Sequence, residues 1–474
     1  MQRSQSPHSR PFMSREILAL ALSAPLAFGA CDTAGSASGD VVIATRAALV
    51  VNGDISNPSG THASISSTGV IDQSNPFFQN LGTNGRTCAS CHDPADGWSI
   101  TPAHLQQRFN ASGGTDPVFR LNDGANSPNA PVGTLAQRQA AYTQLLQRGL
   151  IRVGIPLSSS AEFTLSLVED PYGFASANEL SLYRRPLPST NLKFLSAVMW
   201  DGRETVPGNT MEQNLMKQAN DATMGHAQAA TPPSSDVQKA IADFQLALFT
   251  TQTSDSVAGS LSANGGKLSP TLLSQQSFYI GINDPLGGNP TGTPFTSKAF
   301  TLYDSWLTKT GSAQADRQAS IARGQNIFNT RVFQVIGVRG LNDTLNQSAV
   351  NATCTTCHDT PNVGNHSVSL PLDLGLTDPN TFNTDVMPRY TLTNKTTGAV
   401  IRTSDPGRAM ITGKWADIGK FKGPILHSLA ARPPYFHNGF AATLTDVVKF
   451  YDTRFHIGLD TTATADLVAF LQSL

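Results

Sequence analysis

The chain has 474 residues and carries 33 basic against 34 acidic side chains, a formal charge of −1. A balance this even, with no basic stripe, excludes the electrostatic footprint of a nucleic-acid binder. Apolar residues make up 39%, which excludes a disordered chain and suits two or three folded domains; the 39 glycines and 29 prolines imply long loops between modest helices.

In chain order, the first feature is a leader. Arg3, Arg10 and Arg15 precede Ile17-Leu18-Ala19-Leu20-Ala21-Leu22, and small residues follow up to Gly29-Ala30-Cys31. A basic start, a short apolar run and a small-residue end predict an export signal over residues 1–30. The run is too short to span a bilayer as a mature helix. Gly29-Ala30-Cys31 also fits a lipobox, although Phe28 is an unusual residue three positions ahead of the cysteine. On that reading Cys31 is a lipid anchor and the protein is periplasmic, touching a membrane only through the lipid. Ordinary cleavage nearby would instead leave Cys31 a free thiol. Residues 31–75 read as a tether and lead-in.

Four of the five cysteines lie in two copies of one motif, Cys88-Ala-Ser-Cys91-His92 and Cys354-Thr-Thr-Cys357-His358. C-x-x-C-H is the attachment signal of c-type haem. The two thiols form thioethers with the vinyl groups, and the adjacent imidazole ligates iron. The expected cofactors are therefore two covalent haem c groups, with His92 and His358 as metal ligands. The competing reading has both cysteine pairs converging on one zinc ion.

Helices are predicted over Pro102 to Phe109, Thr134 to Arg148 with Gly149 as its stop, Ser235 to Phe249, Asp316 to Phe328 and Asp460 to Leu474. Thr391 to Thr403 reads as the one convincing hairpin, turning near Lys395 to Gly398. Strands are otherwise expected to be few and short. The fold class predicted is mainly α: two cytochrome-c-like haem domains with long loop insertions. The first covers residues 76–252 with an insertion at about 105–183, a loop-rich crossing occupies 253–315, and the second covers 316–474.

Two further blocks carry a family resemblance. Phe194 to Glu204 reads FLSAVMWDGRE, and Phe421 to Tyr451 reads FKGPILHSLAARPPYFHNGFAATLTDVVKFY. With the two C-x-x-C-H motifs, these resemble the dihaem cytochrome c peroxidase/MauG family. The resemblance is specific over about 184–224 and 320–474 and weakens over 100–183 and 253–315. It implies haems face to face across an interface. Peroxide would react at the N-terminal one, while the C-terminal one passes electrons or shares oxidising equivalents. Trp200 matches the family tryptophan between the haems, where an indole shortens the tunnelling path; the plain alternative is core packing beside Phe194 and Met199.

Tyr451 stands where the classical peroxidases place methionine and MauG places tyrosine. A phenolate stabilises oxidised iron, whereas a thioether stabilises ferrous iron. The plain alternative is a core tyrosine with a satisfied hydroxyl. Met387 and Met410 are rival ligands, neither at the matching place, and His437 is expected to bond a propionate or backbone. Gln213 matches the distal glutamine. The distal glutamate falls on Thr223, which cannot act as a base, so His226, or failing it Asp221, is expected to replace it. The removable distal histidine has no counterpart in Leu182 to Pro188, and His104 reads as a surface residue. Calcium is disfavoured, because the family's asparagine ligand aligns with Arg185 and a guanidinium cannot ligate the ion. The implied partners are hydrogen peroxide and a small electron donor (cytochrome c or cupredoxin) or an oxidisable protein or organic substrate. A dihaem electron carrier and a dihaem oxygenase are the alternative functions.

Overall fold

In the computed structural model, which describes residues 53–278, 284–287, 296, 298–379 and 386–474, the chain starts as a hairpin of β1 (Ile55–Asn57) and β2 (Gly60–Ser66). The export signal and Cys31 lie outside the described residues. α1 (Pro102–Ser112) is capped by the Thr101 hydroxyl and ended by Gly113 in the left-handed region. The single helix expected at Thr134 to Arg148 is two: α2 (Leu135–Ala141) and α3 (Thr143–Arg148). Tyr142 breaks it (φ −105°, ψ 20°), because its ring is drawn 5.2 Å from Phe119 and its hydroxyl donates to the Phe119 carbonyl. Gly149 stops α3 at φ 64°, as the sequence implies.

The stretch read as an insertion then folds as β-structure. β3 (Ile151–Ile155) pairs with β5 (Leu180–Arg184), and between them runs β4 (Phe163–Glu169). α4 (Met211–Gly225) and α5 (Ser235–Ala247) follow. α5 ends earlier than predicted, because Leu248 turns extended and opens β6 (Leu248–Asp255). Beyond it come β7 (Gly259–Ser260), α6 (Pro270–Ser274), α7 (Ala313–Thr330), β8 (Phe333–Ile336) and β9 (Ala349–Ala352). The predicted hairpin is β10 (Arg389–Asn394) and β11 (Val400–Thr403). α8 (Ala409–Thr412), α9 (Leu444–Phe455) and α10 (Thr461–Gln472) close the chain.

The expectation of few strands is corrected. The described residues hold a sheet in the order β1-β2-β6-β7, another in the order β11-β10-β4, and the pairs β3-β5 and β8-β9. Helix still outweighs strand, 32% to 17%. The missed strands are polar: β6 carries Thr250, Thr251, Gln252 and Thr253, and its side chains bond across to β2 (Ser64 Oγ–Thr250 Oγ1 2.7 Å; Thr61 Oγ1–Thr253 Oγ1 2.9 Å). β-branched residues with hydroxyl ladders form strands without the apolar alternation that announces one.

Around the second cysteine motif, α7, α9 and α10 enclose the largest aromatic cluster, with Phe300, Tyr303, Trp306, Phe328 and Phe470 buried together. α7 and α10 cross so closely at Gly324 that a Cβ there would lie 1.9 Å from the Asp466 carbonyl oxygen. Asp466 then accepts from Arg323 (2.7 Å) and Ser320 (2.6 Å) to fix the register. Phe300, Tyr303 and Trp306 belong to the tract read as a crossing, so part of that tract is core.

Candidate functional site

The two cysteine motifs fold alike. Cys88–Ser90 and Cys354–Thr356 are single 3-10 turns, each preceded by a threonine. Thr87 N donates to Ser90 Oγ and Thr353 N to Thr356 Oγ1, both at 3.0 Å. Each turn closes on its histidine, whose amide donates to the first cysteine's carbonyl. The rings are oriented alike as well: His92 Nδ1 bonds the Trp98 carbonyl (3.0 Å) and His358 Nδ1 the Gly364 carbonyl (2.6 Å). That fixes Nδ1 as the protonated nitrogen and leaves Nε2 for a metal, the usual arrangement behind a ligating histidine. Burial lowers both imidazoles to about 4, so both are neutral at pH 7. Burial pushes the Cys88, Cys354 and Cys357 thiols up to about 12. The pairs do not converge. Cys88 and Cys91 line one cavity and Cys354 and Cys357 another, which removes the single-zinc reading.

The first cavity, about 1320 Å³, is walled by apolar residues such as Leu81, Ile151, Val153, Leu195, Val198 and Leu215. Ile151 and Val153 belong to β3, so the insertion covers this cavity. Of the polar residues expected here, Thr223 and His226 line it. Gln213 does not, and that expectation is corrected. Its carboxamide oxygen accepts from Thr210 N (2.8 Å) while its own amide donates to Thr210 Oγ1, a capping box that ties it to the start of α4. Gln218, further along α4, lines the cavity instead. Asp221 is engaged outside, pairing with Lys217 Nζ at 2.7 Å. His104 is held by Asp96 (Nδ1–Oδ1 2.7 Å) and is not part of the lining.

The second cavity, about 1650 Å³, is lined by α9 and α10 residues including Leu444, Val447, Val448, Tyr451 and Leu467. Tyr451 is distinctive among the tyrosines. The hydroxyls of Tyr142, Tyr172, Tyr183, Tyr303, Tyr390 and Tyr435 each donate to a backbone carbonyl. That of Tyr451 has no hydrogen-bond partner among the described residues, and burial raises its pKa. Met387 and Met410 line neither cavity; each is buried in another cluster.

Trp200 lines both cavities, as do Arg185, Pro186, Leu187, Lys422 and Ile425. Its indole nitrogen donates to the Arg185 carbonyl (2.8 Å), and its own carbonyl accepts from Lys422 N (2.9 Å). Its ring meets His437 edge to face at 6.1 Å, and His437 stacks on Phe421 at 4.0 Å. The rest of the W-D-G-R block is a clamp. Asp201 pairs with Arg184 (2.5 Å), which also grips Asp405 (2.7 and 2.9 Å), all three fully buried. Gly202, at φ 70°, lets the Arg408 guanidinium reach the Asp201 carbonyl (2.9 Å).

The chain is similar to the cytochrome-c peroxidase IdrP1 of Denitromonas iodatirespirans, at 32% identity over 138 residues, which is 26% of this chain and 37% of that protein. It is 30% identical over 143 residues to the cytochrome-c peroxidase IdrP1 of Pseudomonas sp. (strain SCT), 26% of this chain and 36% of the relative. Both of these relatives are named cytochrome-c peroxidases. These matches span little more than a third of the length of each relative. A solved structure, described as a MauG-like protein associated with microbial copper homeostasis, aligns over 84% of this chain and 86% of that one, at 15% identity and a TM-score of 0.39. No family model matches the chain.

Haem c is the cofactor that the names of those relatives imply, and the residues of both cavities fit it. Each cavity offers two thiols and one imidazole Nε2. Arg185 and Lys422 in the shared wall and Arg432 beside the second cavity are three buried cations with no carboxylate partner among the described residues. Arg185 donates only to the carbonyls of Ile100 (2.7 Å), Arg148 (3.0 Å) and Arg432 (3.2 Å), and Lys422 Nζ only to that of Gly423 (3.3 Å). Burial, reinforced by the neighbouring cation, lowers Arg185 to about 10 and Lys422 to about 7. Unpaired buried cations are costly, and the carboxylates of a haem would neutralise them. His437, which lines the second cavity, has a buried Nδ1 without a partner, as a group awaiting a carboxylate would. Arg185 also bears on calcium: the guanidinium that stands where the asparagine ligand was expected donates to the Arg432 carbonyl. Asp123, Arg86 and Gln218 had no signal in the sequence, because no motif contains them; Lys422 and Arg432 stand inside the Phe421 to Tyr451 block, but nothing in that block marks them as a pair of buried cations.

Proposed function

We propose that the chain is an exported dihaem c-type oxidoreductase that reduces hydrogen peroxide in its first cavity. Cys88, Cys91 and His92 would hold one haem c, and Cys354, Cys357, His358 and Tyr451 the other. The observation that carries the reading is the pair of matching motif turns, each opening its own cavity, with Trp200 in the wall common to both. When bound, the haems supply one-electron redox chemistry and an open coordination position for peroxide.

The chain's own residues supply the rest. Trp200 offers an oxidisable indole in the shared wall, held at both its ring nitrogen and its backbone, so electrons pass between the cavities without crossing open space. His226 moves protons in the first cavity, where Thr223 cannot. Arg185, Lys422 and Arg432 hold carboxylates, and the apolar walls exclude water. Overall, peroxide takes up two electrons and two protons and leaves as two waters. The electrons come from a small cytochrome or cupredoxin, or from an oxidisable protein or organic substrate. Export agrees with this chemistry, because thioether attachment is completed outside the cytoplasm. The protein is then periplasmic, with Cys31 as its lipid anchor.

Mixing the oxidised holoprotein with one equivalent of hydrogen peroxide is expected to change its visible spectrum and consume the peroxide. An unaltered spectrum would point to a plain electron carrier. In the same experiment Trp200→Phe is expected to slow redox exchange between the two haems while leaving both resting spectra in place; unchanged exchange would remove the indole from the path.

A further inference from the structure

We propose that Asp123 is the positioning residue for His226 and that the pair is the proton acceptor and donor of the first cavity. This rests on the reading of that cavity as the peroxide site. The two residues lie 103 positions apart and meet at 2.5 Å, Asp123 Oδ2 to His226 Nδ1. Asp123 is 5% exposed, and its other oxygen pairs with Arg86, itself 2% exposed. Arg86 in turn donates to the carbonyls of Pro117 (2.8 Å) and Val118 (2.7 Å), so the carboxylate cannot swing away. His226 is anchored from its backbone side too. It caps the end of α4, and its carbonyl accepts from Asn84 (2.8 Å) and from Arg86 (3.3 Å).

With Nδ1 committed to Asp123, Nε2 is the ring nitrogen available to a molecule in the cavity. Arg86 pairs with Asp123 directly, and His92, Arg184, Arg185, Arg203 and Lys422 line the same cavity, together with the Cys88 and Cys91 thiols. Burial alone would raise the Asp123 carboxyl, but Arg86 and His226 outweigh it and hold Asp123 below the usual carboxylate range. A fixed carboxylate behind an imidazole sets its tautomer and stabilises the imidazolium when a proton arrives. The His226 side chain is 37% exposed, so the proton can exchange with solvent. On peroxide, Nε2 takes a proton from the oxygen that approaches, breaking O–H and forming N–H. It returns that proton to the oxygen that departs as water. The two electrons that break the O–O bond come from the protein's redox groups.

Hydrogen cyanide tests the pair without turnover, because it must give up its proton as cyanide binds, whereas imidazole binds as a neutral ligand. In the oxidised holoprotein, His226→Leu is expected to slow cyanide association about 100-fold and Asp123→Asn about tenfold. Imidazole binding and the resting spectrum stay unchanged in both. Asp123→Glu, which keeps a charge opposite Arg86, is expected to fall between wild type and Asp123→Asn and covers the case in which the asparagine variant does not fold. Unchanged cyanide rates in the His226 and Asp123 variants would overturn the pair, as would an equal loss for imidazole. A wild-type protein that binds neither ligand would overturn the peroxide reading of the cavity, and the pair with it.

Discussion

Replacing Tyr451 with methionine is expected to raise the midpoint potential of the C-terminal haem by on the order of 0.2–0.4 V, within the roughly 0.8 V that axial ligands span. A phenolate is an anion that stabilises the oxidised metal, and a thioether is neutral and favours the reduced one. Tyr451 lies on α9 in a wall of Leu444, Val447 and Val448, where an unbranched thioether of similar reach can be accommodated. The structural basis is the unpaired hydroxyl. Six other tyrosines spend theirs on backbone carbonyls, and a buried phenol ordinarily finds such a partner. Potentiometric titration of wild type and variant checks the prediction. An unchanged potential would make Tyr451 a core residue.

Replacing Arg184 with methionine is expected to destabilise the protein by about 3–5 kcal/mol, the usual consequence of removing one partner from a buried ion cluster. Arg184, Asp201 and Asp405 are 2%, 1% and 3% exposed. Without the guanidinium, two carboxylates face each other in a site that water does not reach. The same cluster sets a pH dependence. Burial alone would raise Asp201, but Arg184 and Arg203 overcome it and hold the carboxyl at about 2. Its folded value thus lies below the unfolded 3.8. The stabilisation is complete above about pH 4 and is lost as pH falls towards 2. Urea unfolding at pH 7 and along an acid series measures both effects. A variant as stable as wild type would show that the cluster does not hold the fold. Because Asp201 adjoins Trp200 and Arg184 lines the first cavity, the loss also bears on the site.

The parts of this site that could be read from the sequence are those in which chemistry demands contiguous residues. Cys88 to His92 and Cys354 to His358 are such runs, and each folds into the turn its spacing requires. Helices α1 and α10 were legible because their apolar residues recur on one face and their caps are local, whereas α7 was marked mainly by its apolar end, Ile327-Phe328. β6 was not, since its threonines bond to a strand nearly two hundred positions away and show no alternation. Gln213 misled for a related reason. Its match to a motif was real, but three residues after Thr210 a glutamine finds a nearer partner in the helix's own first turn. Asp123 could not be found at all, because only the folded chain brings it to His226.

The central claim is that the first haem is open and the second is capped by Tyr451. Low-temperature electron paramagnetic resonance of the fully oxidised protein tests it most directly. The account predicts one high-spin and one low-spin ferric haem, with the low-spin signal altered in Tyr451→Met. Two low-spin haems in the wild-type protein would contradict it, because both irons would then be closed to peroxide.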